Sequence, residues 1–126
     1  MIVCEKLRAI CQQMPEYGPV IQRSRPGNQR ARDFIDIDVL LRGYPIDLGS
    51  ERIQAMLREV FAVKRVPLIL LDRIRDTRDF HATGYQEVRA AMRPGISVEP
   101  FDAYFDRVVT ACELLRPLWS HSLGNV

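Results

Sequence analysis

The chain is 126 residues long, with 47% hydrophobic residues, 27% charged residues and a formal net charge of +2. This length suits one domain, residues 1–126, and the composition excludes a disordered chain. The cysteines Cys4, Cys11 and Cys112 form no C-x-x-C pair and fall at apolar helical positions, which predicts buried free thiols. No apolar run is long enough for a membrane span and the N-terminal segment is charged, so we expect a cytoplasmic protein.

The first third of the chain predicts a helix followed by a β-hairpin. Apolar residues recur at three- and four-residue steps over residues 2–14, which is typical of an amphipathic helix. The segment "PVIQR" then predicts a short strand and "RPGN" predicts a turn. The segment "DFIDIDVLLR" predicts a second strand, which Gly43 ends.

The middle of the chain predicts a second helix and a third strand. Ser50 suits the N-cap of this helix and Glu51 its first turn. An apolar stripe then runs from Ile53 to Phe61 at helical spacing. The next segment, "RVPLILL", is a continuous apolar run that is too short for a typical helix, which predicts a buried strand.

The last third of the chain predicts helices. The segment "GYQEVRAAM" suits one of them, and a longer amphipathic helix begins at Pro100 and ends at Pro117. The predicted fold class is therefore α+β, with a small mixed or antiparallel sheet of about three strands packed by amphipathic helices. The predicted element order is α-β-β-α-β-α-α.

Asp36 and Asp38 raise the main functional question, because they interrupt an apolar strand. In an extended strand the two side chains share one face and lie roughly 6.5–7 Å apart. Two carboxylates at that spacing can converge on one divalent cation, which makes them candidate metal ligands. The alternative is that hairpin arginines such as Arg30 or Arg32 neutralise them on a solvated face, and the residues by themselves favour this alternative.

The order of elements over residues 2–72 resembles the minimal nucleotidyltransferases of the DNA polymerase beta superfamily. In that family a strand enters a Ser-containing turn and a D-x-D strand follows. Here "VIQRSRPG" corresponds to the turn and "DIDVLL" to the carboxylate strand. The resemblance implies nucleotidyl transfer from a nucleoside triphosphate, with Mg²⁺ held by Asp36 and Asp38 and with Ser24 and Arg25 near the phosphates.

The chain departs from the family pattern at two places. Arg23 stands where the family has a Gly before the Ser, and the family's third carboxylate has no counterpart near Pro67 and Leu68. Two-metal phosphoryl transfer needs carboxylates that bridge both ions. The resemblance therefore implies either an active nucleotidyltransferase or a catalytically inactive relative; the alternative is that the chain is unrelated to the family.

Residues 23–32 form a basic segment, the predicted hairpin, that supports a second functional hypothesis. Its arginines suit phosphate groups, which predicts salt-dependent binding of a nucleotide or nucleic acid. The alternative function is a non-enzymatic module that binds protein or nucleic acid through this hairpin. The strong apolar stripes also suit a homodimer, since uncovered stripe area needs a partner. The candidate phosphate-binding residues are Arg23, Ser24, Arg25, Arg30 and Arg32.

Overall fold

The computed structural model describes residues 1–14, 27–92 and 98–124, the last four of them by their backbone only. Throughout these ranges the chain forms helices, turns and loops, and no strand occurs in them. Short 3₁₀ segments, Ile74–Asp76 and Glu113–Leu115, each continue a preceding α-helix. The α-helices are α1 (Ile2–Gln13), α2 (Ala31–Gly43), α3 (Glu51–Val63), α4 (Leu70–Arg73), α5 (Arg78–Ala82), α6 (Tyr85–Ala91), α7 (Phe101–Cys112) and α8 (Pro117–Gly124).

The predicted α+β fold with a three-stranded sheet in the order α-β-β-α-β-α-α is wrong. The second predicted strand, "DFIDIDVLLR", lies inside helix α2. The third, "RVPLILL", is a turn that leads into helix α4. The first, "PVIQR", lies outside the described residues.

The side chains that α2 buries show the burial pattern of a helix and not that of a strand. A strand would have buried Val39 together with Ile35 and Ile37, but Val39 is 54% exposed. An apolar run this dense satisfies the alternating and the helical patterns equally well, so the period does not discriminate between them. Packing against α1, α6 and α7 decides in favour of the helix. The side chains that α2 buries are Ala31, Asp33, Phe34, Ile35, Ile37 and Asp38.

The segment from Arg65 to Leu71 ends one helix and begins another. Arg65 has a φ of 55°, and the Val66 N–H donates to the Phe61 carbonyl at 2.9 Å, which closes the C-terminus of α3. Pro67 then suits the first turn of a helix, because it has no N–H to leave unpaired. Its carbonyl accepts from the Leu70 N–H at 3.2 Å. The predicted strand is therefore a tight connection between α3 and α4.

Other predicted features are confirmed. Ser50 caps α3, its hydroxyl accepting from the Ile53 N–H at 3.2 Å. The amphipathic segments at the N-terminus and after Pro100 are the helices α1 and α7. The three cysteines are buried, and none of them forms a disulfide. Of the helices described, none has the length and hydrophobicity needed to cross a membrane.

The core lies between α2 and the helices around it. Phe34 of α2 packs at 5.6 Å from Phe101 and 5.2 Å from Phe105 of α7, measured between ring centroids. Its ring also lies 5.0 Å from that of His81 in α5. These contacts fix the position of α2, and α2 carries most of the charged residues discussed below.

Candidate functional site: a basic cleft at the start of helix α2

A cleft of about 370 Å³ opens where the N-terminal half of α2 meets α1 and α6. We call it the basic cleft. Helix α2 supplies most of its charged groups, since residues three and four apart on a helix lie on the same side. Lys6 enters it from α1 and Val88 forms an apolar wall from α6. The lining residues are Lys6, Gln29, Arg30, Arg32, Asp33, Asp36 and Val88.

Lys6 joins the two carboxylates of the cleft. Its Nζ donates to Asp33 Oδ1 at 3.2 Å and to Asp36 Oδ2 at 3.0 Å. Burial acts to lower the pKa of Lys6, but the hydrogen bonds to Asp36 and Asp33 outweigh it, so the pKa lies above its ordinary value. The ammonium group therefore stays charged at neutral pH.

The two arginines of the cleft form ion pairs with the same two carboxylates. Arg30 Nε donates to Asp33 Oδ2, and Arg32 Nε lies 3.5 Å from Asp36 Oδ1. Asp33 is 4% exposed and so acts as a buried anchor for two cations. With three cationic and two anionic side chains in its lining, the cleft has one positive charge in excess.

The structure does not bring Asp36 and Asp38 together. A helix turns by about 100° per residue, so positions two apart point away from each other. Asp36 faces the basic cleft, whereas Asp38 is buried on another side of α2. There Arg107 of α7 binds both of its oxygens, Nε to Oδ1 at 2.8 Å and Nη2 to Oδ2 at 3.0 Å.

The predicted phosphate-binding residues are described only in part. Arg30 and Arg32 both line the basic cleft. Arg23, Ser24 and Arg25 lie outside the described residues, whereas residues 27–32 of the predicted hairpin are described.

The described side chains of the cleft do not fit a Mg²⁺ ion. Such an ion needs a compact set of oxygen ligands with spare lone pairs. Within residues 1–14, 27–92 and 98–120, no three His, Cys, Asp or Glu side chains converge in a way that could hold a metal. Asp33 and Asp36 are already bound by Lys6 and by arginines. The lining has one positive charge in excess, and its carboxylates are already paired, so its side chains suit an anion better than a cation.

Sequence patterns had not pointed to Lys6, Asp33 or Arg107. Lys6 lies 27 residues from Asp33, and Arg107 lies 69 residues from Asp38, so no local spacing links the pairs. One usable signal was present. A helical interpretation of residues 31–43 would have placed Arg32, Asp33 and Asp36 on neighbouring positions.

The start of α2 is docked onto the turn between α5 and α6. Gln29 Oε1 accepts from the Ala31 N–H at 2.9 Å, which satisfies one of the unpaired donors at the helix start. A methyl group at Gly84 would lie 1.9 Å from the Gln29 side chain. Gly84 therefore leaves room for the group that caps α2.

We expect Gly84→Ala to displace Gln29 and to lower the free energy of unfolding by about 1 kcal/mol, the usual cost of losing a helix cap. Chemical denaturation followed by circular dichroism measures this. Gly43→Ala is the matched control, because a methyl group there meets nothing within 4 Å. A loss at Gly43 equal to that at Gly84 would contradict the role given to Gln29.

Comparison with known proteins gives one family. A family model described as nucleotidyl transferase AbiEii toxin, type IV TA system, matches residues 1–107. The matched region includes every lining residue of the basic cleft and also Arg107. The chain has no match among curated proteins or among solved structures. The predicted relationship to nucleotidyltransferases is confirmed, and the chain belongs to the AbiEii family of nucleotidyl transferase toxins of type IV toxin–antitoxin systems.

Proposed function

We propose that this chain binds the phosphate groups of a nucleoside triphosphate in the basic cleft, as the donor-binding part of a nucleotidyl transferase. The observation that carries the proposal is the arrangement around Asp33. One buried carboxylate holds both Lys6 and Arg30, and the cleft keeps an excess of positive charge. The family match supports a nucleotide as the source of the phosphates.

The cations are ordered before any ligand arrives. Asp33 and Asp36 hold Lys6 in place, and Arg30 is tied to Asp33. Side chains that are already ordered lose less conformational entropy when a ligand binds. Arg32 is 65% exposed and pairs with Asp36 through Nε, so its two Nη groups can bind a phosphate with two parallel hydrogen bonds.

The dimensions of the cleft suit a small charged ligand. A volume of about 370 Å³ lies within the ordinary range for small-molecule sites. Val88 provides an apolar wall beside the charged groups. We assign the phosphates to Lys6, Arg30 and Arg32, and the less polar part of the nucleotide to the side of α6.

Nucleotidyl transfer generally uses Mg²⁺ to neutralise the triphosphate. The described residues supply no set of carboxylates for that ion, and so we assign them binding and no transfer step. We also propose that the chain acts as the toxin of a type IV toxin–antitoxin pair, which the family description supports, and that it does so in the cytoplasm.

Calorimetric titration of the full chain with ATP, GTP, CTP and UTP tests the proposal. We expect Arg32→Gln to weaken binding of the best triphosphate about tenfold, since a hydrogen bond to a charged group contributes about 1.5–3 kcal/mol. Arg116→Gln is the matched control, because Arg116 is an exposed arginine that forms its ion pair with its neighbour Glu113 and lies outside the lining of the basic cleft. We expect its affinity to equal that of the wild type.

Two results would contradict the proposal. The first is the absence of binding for all four triphosphates, and the second is equal affinity in the Arg32→Gln variant and the wild type. Repeating the titration with EDTA in place of Mg²⁺ adds a further check. Because the cleft contributes its own cations, we expect binding to persist without the metal.

A second candidate function uses the same arginines without any nucleotide chemistry. Arg30 and Arg32 lie at the cleft and belong to the basic segment 23–32, which suits the backbone of a nucleic acid. Binding to a generic oligonucleotide that falls steeply with salt, together with no binding of free triphosphates, would favour this binding module.

A further inference from the structure

His81 of α5 is fully buried and contacts the start of α2. Its ring lies 5.0 Å from that of Phe34 and 4.9 Å from that of Phe80. Its Nδ1 accepts a hydrogen bond from the backbone N–H of Arg30 at 2.9 Å. The two residues are 51 positions apart, so this bond ties the α5 region to the edge of the basic cleft.

This hydrogen bond determines the protonation state of the ring. A nitrogen that accepts cannot carry a proton, so the neutral imidazole has its hydrogen on Nε2. Burial, opposed in part by Asp33 and aided by Arg30, lowers the pKa of His81 to about 4, which keeps the ring neutral at physiological pH. Nε2 is buried and has no partner within the described residues.

An apolar side chain would fill this place without an unpaired polar atom. Leaving a buried N–H unsatisfied costs about 1–3 kcal/mol. His81 is therefore a poor choice if packing is its only purpose. What it adds over a leucine is the acceptor at Nδ1.

The acceptor, His81 Nδ1, binds the backbone N–H of Arg30, which lies at the edge of the basic cleft. Arg30 is the N-cap of α2, with φ −128° and ψ 39°, and no side chain caps the helix from this position. Its guanidinium binds Asp33, which in turn binds Lys6. The backbone of Arg30 thus positions the Arg30 guanidinium, which shares Asp33 with Lys6.

We propose that His81 is a positioning residue for phosphate binding: its Nδ1 holds the backbone N–H of Arg30, so that the Arg30 guanidinium and the Asp33–Lys6 pair face the ligand. His81 itself does not touch the phosphates, because it is fully buried. This inference rests on the proposed function. It adds a buried residue, outside the lining of the cleft, that controls the affinity of the cleft for phosphate groups.

The experiment compares triphosphate affinity in His81→Leu and His81→Asn, with ATP as the probe if it is the triphosphate that binds best. Leucine is similar in size but has no acceptor, whereas the Asn Oδ1 can occupy nearly the position of Nδ1. We expect His81→Leu to bind about tenfold more weakly than the wild type and His81→Asn to recover most of the loss. The amide NMR resonance of Arg30 should shift in His81→Leu and return toward its wild-type position in His81→Asn.

Equal affinity in His81→Leu and the wild type would overturn this inference while leaving the proposed function intact. Equal weakening in the Leu and Asn variants would also overturn it, since the acceptor would then not matter. If His81→Leu fails to fold, His81→Gln replaces it, because glutamine carries its amide near Nε2 and not near Nδ1. Failure of the wild type to bind any triphosphate would overturn the proposed function itself.

Discussion

Replacing Arg107 with Gln is expected to destabilise the protein more than replacing Asp38 with Asn, although both changes break the same ion pair. Asp38 is 2% exposed, while the Arg107 side chain is 36% exposed and also binds Glu99. Arg107→Gln leaves a carboxylate buried without its main partner. Asp38→Asn removes the buried charge. It leaves Arg107 with a guanidinium that water can still hydrate and that still pairs with Glu99.

The asymmetry follows from where each charge would remain. An uncompensated charge inside a protein costs far more than one at the surface, because it cannot recover its hydration. For Asp38→Asn we expect a loss of about 2 kcal/mol, the value for hydrogen bonds to a charged group. For Arg107→Gln we expect a larger loss, since Arg42, at 3.2 Å from Asp38 Oδ2 and 58% exposed, only partly replaces the lost partner.

Urea denaturation of the two variants measures both losses. Arg116→Gln is the matched control, because the pair between Arg116 and Glu113 is exposed on both sides and surface pairs contribute little. Equal losses in Asp38→Asn and Arg107→Gln would show that Asp38 is well hydrated in the folded protein. That result would contradict the packing of α2 against α7 described above.

Acidification from pH 6.5 to pH 4 is expected to destabilise the protein through His81. The pKa of this residue is about 4 in the folded protein and about 6.5 when unfolded, and the cause is chiefly its burial. Between these values the unfolded chain binds the proton and the folded chain does not. Stability therefore falls as the pH falls through this window, by at most about 1.4 kcal/mol per pH unit, and this group adds no further change below pH 4.

Comparison of the wild type with His81→Asn isolates this contribution. Asn does not titrate in the window, while the carboxylates, Asp33 among them, are present in both proteins. We expect the fall in the free energy of unfolding from pH 7 to pH 4.5 to be about 2 kcal/mol larger in the wild type. Parallel pH profiles for the two proteins would mean that His81 titrates normally and is not confined as the structure places it.

The helices with wide polar and apolar faces could be predicted from local sequence. Helices α1, α3 and α7 each run for 12 or 13 residues, so the helical spacing of their apolar residues repeats often enough to be recognised in the sequence. The Ser50 cap is also local, because its donor is three residues away. Helix α2 was wrongly predicted as a strand, since its apolar residues are so dense that an alternating pattern fits them as well.

The relationship to nucleotidyltransferases was predicted from the expected order of elements over residues 2–72 and from the D-x-D motif at Asp36 and Asp38, and the family match confirms it. The D-x-D strand geometry that suggested a metal pair does not exist, because that segment is helical. The two aspartates instead have different roles. Asp36 belongs to the basic cleft, and Asp38 fastens α2 to α7.

The amino-acid sequence alone was enough to show that the segment after Asn28 combines arginines with aspartates that need neutralising. It left open whether arginines or a metal do so. The folded chain gives the partners: Lys6 and Arg32 for Asp36, and Arg107 and Arg42 for Asp38. Two of these four partners come from other helices, at sequence separations of 30 and 69 residues. A charged side chain pairs with the groups that helix packing brings near it. Local sequence patterns do not reveal partners that are this far away in the sequence.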